Sequence, residues 1–214
     1  AFNKEELLRV AALMPTLPEK RSVYETTLRR FPQSQVAANN LAILLLREGR
    51  TDEASALLDP LGNLAPEALN TKAAICVLRH DYEQATALFE ANKALPESQY
   101  NLGLLMANAR KMESAYALMQ DFGDTQTAIV ALCCGHDEAV AAIMESCDDT
   151  TPLAEYVRAL VSARKADGNA LIDLLRSAVT KEDLRVRAEV EADFRPYATR
   201  TDFINLISQG ERDE

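Results

Sequence analysis

Tyr100-Asn101-Leu102-Gly103 is followed, twelve residues after the glycine, by Ala115. The stretch reads as one helix closing, a short polar break at Arg110-Lys111, and a second helix opening with alanine on its buried face. The same beat occurs twice upstream, where Ala42 leads to Ala54 and Ala73 leads to Ala85. A small residue at each site lets two antiparallel helices approach closely, because a large side chain would hold their axes apart. Three such pairs, at intervals of about thirty residues, define a helical-hairpin repeat.

The 214 residues suffice for one ordinary domain or about six hairpin units at a period of ~34. Seven glycines and no tryptophan, with abundant alanine and leucine, favour helix nearly everywhere. No run approaches the ~18–20 apolar residues of a membrane span, so direct insertion of this segment is not expected. The chain begins at Ala1 without a methionine or a charged-then-apolar leader, and is expected to be a piece of a longer or processed protein. Net charge is −10, distributed as +3 over residues 1–50, −5 over 51–100, −6 over 101–150 and −2 thereafter. Nucleic-acid binders need clustered Lys and Arg, and the middle of this chain has the opposite sign. The basic cluster Lys20, Arg21, Arg29 and Arg30 reads as a solvated helix face, with a groove for an acidic partner as the alternative.

Helices are expected at Lys4–Met14 behind an Asn3/Glu6 capping box, from Pro18 to Phe31, and at Gln35–Glu48, with Gly49 as a stop signal. Asp52–Leu58 answers that third helix. Pro66–Arg79 with Tyr82–Lys93, and Glu97–Ala109 with Met112–Phe122, make the next two hairpins. A shorter pair, Thr125–Cys134 and Asp137–Ser146, turns at Gly135-His136. Pro152–Lys165 and Asn169–Val179 follow, with Asp167-Gly168 between them. Glu182–Val190 and Thr201–Ser208, interrupted by Pro196, form an irregular end, and Gln209–Glu214 reads as a frayed tail.

These residues resemble the tetratricopeptide repeat family, whose pattern has Leu-Gly in the first helix, Ala-x-x-x-Phe in the second and a proline between units. Ala85-Thr-Ala-Leu-Phe89 matches the second half literally. Ala54 with Leu58, Ala115 with Met119, Ala139 with Ile143 and Ala170 with Leu174 keep it with apolar replacements. Leu102-Gly103 and Leu41-Ala42 match the first half, and Pro66 falls on the linking proline. Lys72 stands where leucine is expected, the family tryptophan is missing, and the fourth unit is short. The resemblance implies an all-α, right-handed α-α superhelix of antiparallel hairpins, one domain over 1–214. Residues 1–34 would be a capping helix pair, 35–179 the repeats and 180–214 an irregular cap. A narrower likeness rests on FNKEELLRVAALMPTLPEKRSVYETTLRRFP, the NNLA and YNLG helices and VEADFRPYATRTDFINLI. These are similar to the helical repeat region of outer-membrane-associated, OmpA-family proteins of Bacteroidetes-type bacteria. That implies a periplasmic or outer-membrane-associated location.

The resemblance also implies a concave groove lined by the first helices, which receives a peptide or protein partner. Carried over, the groove positions are Asn39, Ile43 and Arg47, then Asn70, Ala74 and Val77, then Tyr100, Leu104 and Asn108. Asparagine offers both donor and acceptor to a peptide backbone, and Tyr100 is the expected anchor. Ile43, Thr71 and Glu97 occupy positions where the family's carboxylate clamp carries Lys or Arg, so that clamp is not expected. Asn40 and Asn101 read equally as binding residues or as ordinary helix residues of the repeat. A structural spacer of a larger outer-membrane protein, without a ligand groove, is the alternative function.

Chemistry is sparse. Cys76, Cys133, Cys134 and Cys147 fit neither C-x-x-C nor a zinc spacing. Cys147 falls roughly 15 Å from the Cys133/Cys134 turn, too far for a bridge. A metal reading would join His136 with Cys133 and Cys134, but helical neighbours diverge by about 100° and share an ion poorly. His80 and His136 fall at turns, Asp148-Asp149 reads as a helix-ending loop, and no nucleophile elbow or phosphate loop appears. No enzyme, cofactor or metal is expected.

Overall fold

The structure, a computed structural model, describes residues 2–208; the expected frayed tail lies outside them. It is all-α, with no strand among the described residues. The helices are α1 (Lys4–Leu13), α2 (Leu17–Arg30), α3 (Gln35–Arg47), α4 (Thr51–Leu58), α5 (Pro66–Leu78), α6 (Tyr82–Ala91) and α7 (Pro96–Asn108). They continue with α8 (Met112–Met119), α9 (Thr125–Cys133), α10 (Asp137–Ser146), α11 (Pro152–Arg164), α12 (Gly168–Ala178), α13 (Glu182–Val190) and α14 (Thr201–Ser208). No helix among the described residues is long and apolar enough to cross a membrane.

The helix starts follow from capping chemistry. Asn3 and Glu6 form the expected box, each accepting the other's backbone N–H, and Thr16 with Glu19 forms a second. Ser34, Asp81, Asp124, Thr151 and Asp167 accept from the third residue of their helices. Helices α13 and α14 have the expected bounds, and Pro196 falls between them. It sits inside a 3-10 helix, Ala192–Tyr197, where the tighter winding accommodates it.

Packing divides the chain at the α7–α8 turn into two compact units, Ala1–Asn108 and Ala109–Glu214. In the first, α3 packs on α4 and α5 on α6, while α5 also packs against α3 and α7, so first helices stack upon first helices. In the second, α9 pairs with α10 and α11 with α12, and α9 packs against α11.

One register runs through the repeats. A buried small residue on the first helix (Ala42, Ala73, Gly103, Ala128, Ala159) precedes by twelve a buried residue on the second (Ala54, Ala85, Ala115, Val140, Leu171). Four residues further, Leu58, Phe89, Met119, Met144 and Leu175 are buried too. The last two repeats correct the sequence reading by one position. Val140 with Met144 and Leu171 with Leu175 take the buried sites, whereas Ala139, Ile143, Ala170 and Leu174 are half-exposed.

Between the two buried positions the backbone reverses through a left-handed residue, seven after the first small one. These residues are Gly49, His80, Arg110, Gly135 and Ala166, with φ of 75°, 62°, 63°, 76° and 59°. At four of these turns the following N–H is seen to reach back five residues: Arg50 to Leu45 O at 2.9 Å, Asp81 to Cys76 O at 2.9 Å, His136 to Ala131 O at 3.0 Å and Asp167 to Ser162 O at 2.9 Å. This is the Schellman closure, which satisfies carbonyls that a helix end would otherwise leave open. Gly168 is not the turn residue; it lies within α12, and a Cβ there would stand 2.4 Å from Arg200 Nη1 and 2.7 Å from Tyr197 Cε1.

The second unit closes on aromatics. Tyr156 and Phe194 meet edge-on at 5.6 Å, and Phe194 meets Phe203 at 6.3 Å. The 3-10 helix thus supplies the central ring that the terminal helices cover.

A non-glycine residue held at positive φ costs about 1 kcal/mol or more. Ala166→Gly should therefore stabilise the chain by about 0.5–1 kcal/mol in urea unfolding, while Gly168→Ala should destabilise it. A loss of stability in Ala166→Gly would contradict the turn assignment.

Candidate functional site

The expected groove positions lie on α3, α5 and α7, all in the first unit. Relative to the small residue of each first helix they fall three before, one after and four or five after. The positions one after are Ile43, Ala74 and Leu104. All three are half-buried, and they line up as an apolar strip across successive stacked helices. Val77 is half-buried at the edge of this strip. Arg47 and Asn108 are exposed at the helix ends. Leu78, at the same register as Arg47 and Asn108, is 53% exposed and was missed by the sequence reading.

The positions three before behave differently from one another. Tyr100 is half-buried. Asn70 spends its Oδ1 on folding, accepting from Ser98 Oγ at 3.0 Å and from Asn101 Nδ2 at 3.1 Å. Ser98 Oγ in turn accepts from Asn92 Nδ2 at 2.7 Å, and the same amide donates to Pro66 O at 2.8 Å. This network ties α5 to α7 and to the segment before α7. Asn40 Nδ2 donates to Tyr24 OH at 3.2 Å, so Asn40 and Asn101 both serve interhelix contacts.

Asn39 is only 8% exposed, and its Oδ1 is buried with no hydrogen-bond partner among the described residues. It helps to line a cavity of about 300 Å³ between α3 and α5, together with Gln35, Val36, Asn40, Ala65, Glu67 and Ala68. Gln35 braces one wall, donating to Asn63 O and accepting from Ala65 N, both at 2.6 Å. Val36 stands at this cavity with 55% of its surface exposed. Neither Val36 nor Gln35 was singled out from the sequence, although both face the same way as Asn39 by helical spacing.

In the second unit Asp149, of the Asp148-Asp149 pair, locks its loop. Asp149 accepts from Thr125 Oγ1 at 2.7 Å and from Thr151 N at 2.8 Å, and these bonds hold its carboxyl below the usual range. Arg158 clamps the same loop through the carbonyls of Met144, Cys147 and Asp149. Cys147 lies in that loop, and all four cysteines are free thiols.

The α9–α10 turn carries the one cluster of three ligand-type groups among the described residues. It differs from the Cys133, Cys134 and His136 trio that the spacing argued against. Cys133 is exposed, while Cys134 and His136 converge with Glu113 from α8. Burial, and next the negative charge and hydrogen bond of Glu113, push the Cys134 thiol up. Glu113 is distant in sequence; only the stacking of one hairpin's second helix against the next turn brings it in.

A family model described as Tetratricopeptide repeat matches residues 21–75, from within α2 into α5. The first expected hairpin, α3–α4, lies wholly inside that match. A solved tetratricopeptide repeat protein from Parabacteroides merdae is similar at 14% identity, over 86% of this chain and 96% of that one, with a TM-score of 0.49. Curated proteins give no match.

Ser98 is fully buried at the centre of the amide network. Ser98→Ala leaves Asn70 Oδ1 and Asn92 Nδ2 short of a partner and should cost about 1–3 kcal/mol in urea unfolding. A change below about 0.5 kcal/mol would show that the network does not join α5 to α7.

Proposed function

We propose that this chain is a protein–protein interaction scaffold that receives a peptide or protein partner on the face formed by α3, α5 and α7. The tetratricopeptide repeat generally mediates such binding without catalysis, and the match over residues 21–75 supports the reading. The observation that carries it is the apolar strip Ile43, Ala74 and Leu104, beside the cavity at Val36 and Asn39. Stacked first helices present this strip at regular spacing, which suits an extended or helical partner with repeated apolar anchors. Arg47 and Asn108 would frame it with polar contacts, and Tyr100 would supply a stiff amphipathic one. The location we propose is the bacterial cell envelope, periplasmic or outer-membrane associated; it rests only on the resemblance read from the sequence in the terminal stretches and the NNLA and YNLG helices.

A spacer role is the competing reading, favoured by the use of Asn40, Asn70 and Asn101 in interhelix bonds. The two separate experimentally. Val36→Asp and Arg47→Glu alter exposed side chains and should change stability by no more than about 0.5 kcal/mol. In a crosslinking pull-down from envelope extract, a partner recovered by the native chain should be lost from Val36→Asp and Tyr100→Ala and kept by Glu83→Lys on α6. Equal recovery by all variants would move the site off this face, and empty lanes from all would favour the spacer. Fractionation of the tagged protein tests the location, with release on osmotic shock or recovery with outer membranes expected.

Asn39 offers a sharper probe. Asn39→Leu removes a buried acceptor that lacks a partner, and should stabilise the chain by about 1 kcal/mol while weakening partner binding. Unchanged binding would remove Asn39 from the site.

A further inference from the structure

We infer that Glu113, Cys134 and His136 form a site for a divalent transition-metal ion of the zinc class. Glu113 comes from α8, Cys134 caps the end of α9 and His136 caps the start of α10. Each offers one donor atom, and the three atoms lie within 4.8 Å of one another. Atoms so spaced can all stand about 2.8 Å from a common point, and zinc bonds run ~2.0–2.3 Å, so side-chain movements of about half an ångström close the shell. His136 Nε2 is already 3.5 Å from Glu113 Oε2, close to the ~3.4 Å edge between two tetrahedral ligands at zinc distances.

The donor set fits this ion class. One imidazole, one thiolate and one carboxylate suit zinc or cobalt(II), whereas magnesium and calcium take oxygen shells. The site is also held in place. The Schellman bond from His136 N to Ala131 O fixes the backbone, and the Tyr116 ring lies against the imidazole with centroids 4.5 Å apart. Side chains of His136 and Glu113 are 40% and 75% exposed, so an ion can enter from solvent. Three protein ligands leave a fourth position for water or a partner's side chain, the pattern of an open zinc site. Binding releases the Cys134 thiol proton to solvent.

Cobalt(II) is the probe, added to the full chain and followed by absorption. The expected result is a near-ultraviolet sulfur-to-cobalt charge-transfer band with visible bands of tetrahedral cobalt, both erased by added zinc. Cys134→Ser should abolish the charge-transfer band and Cys133→Ser should keep it. Glu113→Gln and His136→Ala, on exposed side chains, should each weaken binding at least about tenfold, the lower bound for disturbing even outer-shell partners. Far-ultraviolet circular dichroism checks that each variant is folded. Absence of the band in the native chain would overturn the assignment. So would its loss in Cys133→Ser, its survival in folded Cys134→Ser, or unchanged affinity in both Glu113→Gln and His136→Ala.

Discussion

Each repeat reverses its backbone at one point, and everything else is placed by that reversal. Seven residues after a buried small side chain the backbone enters the left-handed region, and five residues later the returning helix buries its own contact. The turn satisfies the carbonyls at the end of the first helix and sets the phase of the second. Where both contact residues are alanine, as at Ala42/Ala54 and Ala73/Ala85, the helices can lie close. Val140 and Leu171 replace that alanine in the second unit, so those pairs meet through larger side chains.

This arrangement divides labour between helices. Second helices bury their four-residue contacts, including Phe89 and Met119, and serve the core. First helices pack on one another and leave a face, and in the first unit that face carries Ile43, Ala74 and Leu104. Polar side chains do two kinds of work there. The Asn92–Ser98–Asn70–Asn101 network sets how α5 and α7 stack, whereas Asn39 keeps an acceptor buried without a partner beside the cavity. An unpaired buried acceptor costs stability, which is a reason to look for function at that position.

Much of this was legible in the chain. Capping residues, proline at helix starts and the twelve-residue beat located the hairpins, because each acts over a few residues. Local signals failed where tertiary contact decides. In AVAAIM and ALIDLL two adjacent apolar residues compete for one buried site, and packing chose Val140 and Leu171 over Ala139 and Ala170. Left-handed turns at His80, Arg110 and Ala166 carry no glycine to announce them, while Gly168 serves a close approach to Tyr197 instead. Asn70 was legible as a groove position but not as an acceptor for Ser98 and Asn101, since those partners come from the next hairpin. Glu113 escaped for the same reason.

The central claim is that the α3–α5–α7 face binds while the second-helix surface does not. A photo-crosslinking amino acid placed at Val36 or Leu78, and at exposed Ala87 on α6 as control, tests it in living cells. Adducts of a common mass from Val36 and Leu78, with none from Ala87, are the expected result. Adducts from Ala87 alone, or equally from all three positions, would contradict it.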